Sequence, residues 1–66
     1  MNFAERMREA WDICVKFNET HPPGTRVHRI SDVKDYTVRT PSYVVSDIPV
    51  VSVEETKEAI PLKDLR

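Results

Sequence analysis

The apolar positions change rhythm part-way along the chain. Before the Pro22-Pro23-Gly24 corner, Phe3, Met7, Ala10, Trp11, Cys14 and Phe17 recur at steps of three and four, which at a helical repeat places them along one stripe. Ile13 and Val15 border that stripe, and Glu5, Arg6, Arg8, Glu9, Asp12 and Lys16 fall mostly elsewhere. The spacing predicts an amphipathic helix from about Asn2 to Asn18, with 1–19 as the helical part of the chain. Asn2 offers an N-cap oxygen and Glu5 a carboxylate that can answer it, while Asn18 is a reasonable terminator. Two favourable side-chain pairs, Glu5–Arg8 and Asp12–Lys16, outnumber the adverse Glu5–Glu9. A stripe of this kind must be covered, and Trp11 on it is the natural plug between the helix and whatever packs there.

His21-Pro22-Pro23-Gly24 ends the helix, because a residue before proline is pushed out of helical space. The two prolines hold an extended arm, Gly24 lets the backbone turn, and Thr25 opens the first strand. From there the pattern is extended: Thr25–Ile30, Tyr36–Thr40, Tyr43–Val45 and Ile48–Val53 read as short strands rich in β-branched residues. Ser31–Asp35, Ser46-Asp47 and Glu54–Glu58 are polar connectors of hairpin length. Pro41 and Pro49 cannot donate to a ladder and mark a bend or an edge. Ala59-Ile60-Pro61 reads as a last short strand, and Leu62–Leu65 as one tight helical turn with both leucines inward. The expected fold is α+β, mainly β: a single domain over 1–66, with an N-terminal helix followed by a small five-stranded antiparallel barrel over 24–66.

Phe17-Asn18-Glu19-Thr20-His21-Pro22-Pro23-Gly24-Thr25-Arg26-Val27, followed by Tyr36-Thr37-Val38-Arg39-Thr40, resembles the opening of short phage and prophage proteins of unknown function. Pro49–Val53 and the Leu62–Arg66 closure extend the resemblance to the rest of the chain. It implies a Src-homology-3-like barrel. The chain departs from that pattern in its hairpins, where Asp32-Val33-Lys34-Asp35 and Glu55-Thr56-Lys57 stand in place of the usual glycines. The resemblance brings no activity with it.

Composition narrows the picture further. A chain of 66 residues with one cysteine and two histidines has no disulfide and too few ligands of the usual kind for a structural zinc, so it depends on packing or self-association. The 39% hydrophobic and 32% charged content is that of a folded domain. No apolar run is long enough for a bilayer, and Glu5, Glu9 and Asp12 rule out the apolar core of a secretory signal. The expectation is a cytoplasmic protein without a membrane partner, with its lone Cys14 in a reducing compartment.

Catalytic chemistry has little to work with. Cys14 lies on the apolar stripe, where a thiol is an inert core group rather than a nucleophile. His21 and His28 lack metal-ligand spacing, and a single glycine excludes phosphate-binding loops. Glu54-Glu55 and the Asp32/Asp35 pair sit in polar connectors, so no cofactor, metal or enzymatic activity is expected. The best-supported reading is a small accessory or regulatory module that binds protein, with Tyr36 and Tyr43 as candidate anchors unless they pack the barrel. The alternative is nucleic-acid binding through a basic strand face carrying Arg26, His28 and either Arg39 or Lys34, against which the net charge of -1 speaks. A homodimer through the helix stripe remains open.

Overall fold

In the computed structural model, which describes residues 3–66, the chain runs α1 (Phe3–Thr20), β1 (Arg26–Arg29), β2 (Lys34–Thr37), β3 (Tyr43–Val45), β4 (Ile48–Ser52), β5 (Ala59–Pro61) and a 3-10 turn (Leu62–Asp64). Asn2, the expected N-cap, lies outside the described residues. The helix continues two residues past Asn18. Asn18 does not terminate it because its side-chain oxygen is used elsewhere, accepting from the Ser42 N–H and hydroxyl at 2.8 Å each. The last helical bond runs from the His21 N–H to the Phe17 carbonyl at 2.8 Å, and the His21 ring stacks on Phe17 with centroids 4.4 Å apart. Pro22 then stops the helix, as its ring and missing N–H require.

The corner forms as the residues dictate. Thr25 N–H donates to the Pro22 carbonyl at 3.0 Å, with Pro23 and a left-handed Gly24 (φ +97°) between them, the arrangement of a type II turn. Gly24 and Val38 then extend the β1–β2 ladder, through Gly24 N–H to the Val38 carbonyl and Val38 N–H to the Thr25 carbonyl. Within that ladder Val27 faces Tyr36 and His28 faces Asp35. Strand β2 starts at Lys34, inside the segment read as a connector, because the turn at Ile30–Val33 is tight. Val33 closes it with φ +57° and an N–H bond to the Arg29 carbonyl at 3.0 Å. At the next hairpin Ser46 and Asp47 both have positive φ, so two non-glycine residues make the primed turn that joins β3 to β4.

Pro49 is not at an edge: β4 is the central strand of the order β3-β4-β5. In an antiparallel ladder the closing pair Val45–Ile48 of a two-residue hairpin is hydrogen-bonded, so at the next pair, Val44–Pro49, the backbone nitrogen of Pro49 points away from β3. On its other side β4 pairs with β5 only from Val50 onward, and no donor is missed. Pro61 sits on β5, an edge strand, where a missing donor is harmless. Pro41 lies in the irregular stretch between β2 and β3, as a bend.

The strands form two antiparallel sheets, β1-β2 and β3-β4-β5, neither of which is closed into a barrel. Thr40-Pro41-Ser42 leave the ladder after β2, so among the described residues a single-pair bridge, Val38 with Val53, joins the ends of the two sheets, while Arg29 bridges Leu65 of the C-terminal segment. The core is Cys14, Val27, Tyr36, Val38, Val51, Val53, Ile60 and Leu62, with Phe17, Val44 and Leu65 packed at its margin. Both leucines of the terminal turn therefore point inward. None of the described helices is long and apolar enough to cross a membrane.

Trp11 is not the plug. It is 57% exposed, whereas Ala10 and Cys14 are buried and Met7, Phe17 and Asn18 half-buried. Helix α1 lies against β3 and β4 so closely that the Ser42 hydroxyl donates to the Cys14 carbonyl at 3.2 Å. A backbone held at that distance admits only small side chains beneath it, and the indole is displaced to the flank. Phe3, at 65% exposure, is likewise uncovered.

Two of the left-handed positions, Gly24 and Val33, predict opposite effects on stability. A Cβ at Gly24 meets nothing within 4 Å, so Gly24→Ala should cost about 1–2 kcal/mol through backbone strain alone. At Val33, 73% exposed, a β-branched residue bears that strain with no burial to offset it, and Val33→Gly should raise stability by about 1 kcal/mol. Urea unfolding of both variants measures the two signs.

Candidate functional site

Alternation along β1 and β2 puts Arg26 and His28 on one face, together with Asp35 and Thr37 across the ladder, and Arg39 two residues past Thr37. Lys34, opposite Arg29, belongs to the other face. The expected basic face does bring Arg26, His28 and Arg39 together, but carboxylates come with them. His28 Nδ1 lies 2.9 Å from Asp35, and Glu55 accepts from the Thr37 N–H and hydroxyl at 2.8 Å each. The Thr37 backbone N–H, with the Arg26 charge adding to it, holds the Glu55 carboxyl below its ordinary range. Arg26 and Arg39 thus share this face with Asp35 and Glu55, so the face is of mixed charge rather than uniformly basic.

Tyr36 is buried in the core and offers no surface anchor. Its ring faces the same way as Val27, and its hydroxyl donates to Asp32. That contact belongs to a polar clasp between β1, its turn and the C-terminal segment. Arg29 Nε donates to Asp64 at 2.9 Å and a guanidinium nitrogen lies 3.6 Å from Asp32, while the Ser31 N–H and hydroxyl both reach Asp64. Arg29 holds the Asp64 carboxyl below its usual range, and the Tyr36 hydroxyl does the same for Asp32; the Asp32 contact in turn raises the Tyr36 phenol. Ile30 N–H to the Asp64 carbonyl and Arg66 N–H to the His28 carbonyl complete the clasp. Both carboxylates and both hydroxyls in it have partners in the chain itself, and together they fasten the C-terminal segment to β1. Tyr43 is half-buried at the start of β3, beside the buried Val50, its hydroxyl 2.9 Å from that of Ser52.

The most prominent uncommitted surface is on α1. Phe3, Met7, Trp11 and Val15 follow one another at four-residue steps, a ridge that winds from the buried side onto the outward flank. Trp11 is 57% and Val15 45% exposed, and they are i, i+4 neighbours. Arg8, Asp12 and Glu19 border them. Among the described residues no pocket opens, and no three His, Cys, Asp or Glu side chains gather as a metal would need. Reading the stripe as one buried face missed this flank. The available signal was the small pair Ala10 and Cys14, four residues apart, which marks the line of closest helix–sheet approach and leaves Trp11 beside it. No protein-family model, curated protein or solved structure matches the chain.

Because the indole stands outside the core, Trp11→Ala should change folding stability by no more than about 0.5 kcal/mol. Val51→Ala, in the fully buried centre, should cost about 2 kcal/mol or more in the same denaturant titration. The clasp predicts the acid limb of stability. Carboxyls depressed on folding stabilise the protein above their unfolded value of about 4, and that contribution is lost as pH falls through the lower folded values. Stability should therefore rise with pH across that window, and Asp64→Asn should make the rise shallower in unfolding curves recorded from pH 2 to pH 6 on the order of every half unit.

Proposed function

We propose that this chain is a small non-catalytic accessory or regulatory module that acts by binding protein, and that the outward flank of α1 is its contact surface. The observation that carries this reading is Trp11, a large aromatic left 57% exposed beside Val15 on a helix that buries Ala10 and Cys14. A tryptophan gains a great deal from burial and has a donor to satisfy, which is why such residues dominate the energetics of protein contacts. On this view the β-sheets serve as a scaffold that holds the helix rigid. The bridges at Val38–Val53 and Arg29–Leu65 support treating the two sheets as a partly open barrel of the Src-homology-3-like kind that the sequence resemblance implies. The mixed-charge face around Arg26, His28 and Arg39 lends no support to a nucleic-acid partner.

The test is affinity capture from native host cells, with the tagged chain and its Trp11→Lys variant run side by side after nuclease treatment. A specific protein held by the first and lost by the second is the expected result. Retention by both, or loss of all captured material on nuclease digestion, overturns the proposal.

A further inference from the structure

Resting on that reading, we infer that the protein seated on the α1 flank is a second copy of this chain, packed antiparallel about a two-fold axis. The argument is one of self-complementarity. A two-fold axis across a helix pairs residues at equal distances on either side of its midpoint. Arg8 and Glu19 have their midpoint between Ile13 and Cys14, and Trp11 and Val15 have theirs at Ile13, a difference of half a residue or about 0.8 Å along the helix. One axis therefore sets Trp11 over Val15 of the second copy, in both directions, and brings Arg8 to Glu19 at both ends. All four residues lie on the same side of the helix. At about 100° per residue Arg8 falls about 60° from Trp11, and Glu19 about 40° from Val15, each toward the outward border of the ridge.

The charges are available for this. Neither Arg8 nor Glu19 makes an ion pair among the described residues, whereas Arg6, on the other flank, is occupied by Asp47 at 3.5 Å. An arginine before Trp11 and a glutamate after Val15 cannot meet within one helix, eleven positions apart, but meet twice across the two-fold. A parallel pairing would instead oppose Arg8 with Arg8 and Glu19 with Glu19, so the charges also select the orientation. The contact is a single flank of one 18-residue helix, against the ~800 Å² per partner of a standard interface. The dimer is accordingly weak, with dissociation in the range of about 10–1000 µM.

Sedimentation equilibrium of the purified chain over that range, with emission of its single tryptophan followed in parallel, tests the inference. The expected result is reversible dimerisation with a blue shift as Trp11 is covered. Arg8→Glu and Glu19→Arg should each weaken it about tenfold or more, and the double variant should restore it to within about threefold, since it rebuilds both pairs with reversed polarity. A chain that stays monomeric throughout, or a double variant weaker than either single one, overturns the inference. If the chain is monomeric yet Trp11→Lys still loses a captured protein, the dimer fails and the docking flank stands; dimerisation that Trp11→Lys leaves unchanged places the two-fold elsewhere and overturns the inference.

Discussion

Ser42 governs how this molecule is put together. Its hydroxyl and backbone N–H enter the side of α1, bonding the Cys14 carbonyl and the Asn18 carboxamide, and it is buried in doing so. A buried hydroxyl without partners costs on the order of 1–3 kcal/mol, so the helix must stay where these partners are met. That requirement sets the helix–sheet distance, and the distance decides which residues fit between the layers. Ala10 and Cys14 fit. The indole of Trp11 does not, and it is left exposed on the flank beside the line of that contact.

The C-terminal segment is joined to the fold by a different kind of bond. Asp64 receives the Arg29 guanidinium and both polar groups of Ser31, and its own carbonyl accepts from Ile30. Leu62 and Leu65 press into the core beneath it. Polar and apolar attachment thus act together to bring residues 62–66 back against β1, which gives the two-stranded sheet a neighbour on its second edge. The strands themselves are three to five residues long, and such short ladders depend on contacts of this sort.

Much of this architecture was legible in the residues. The period switch at Pro22-Pro23-Gly24 located the helix and the strands, and the only glycine marked a turn that needs a left-handed residue. Tyr43–Val45, Ala59–Pro61 and the inward leucines stand as the pattern predicted. What the pattern did not carry was distance and competition. Periodicity ranks Trp11 as a core residue because it counts hydrophobicity and angle, not the space left by a neighbouring backbone. Asn18 reads as a terminator because its chemistry suits a cap, yet Ser42, twenty-four positions away, claims the same oxygen. Glycine-free hairpins gave no sign that Val33, Ser46 and Asp47 would accept left-handed geometry, and Tyr36 could be told from Tyr43 only once Asp32 was seen to receive its hydroxyl.

The position of Cys14 has a practical consequence. The residue is 1% exposed at the line where helix meets sheet, and it is the one cysteine of the chain. A thiol reagent reaches it only during excursions in which α1 lifts away, so the labelling rate counts those openings and separates them from whole-molecule unfolding. The chain carries a built-in clock for the detachment of its own helix.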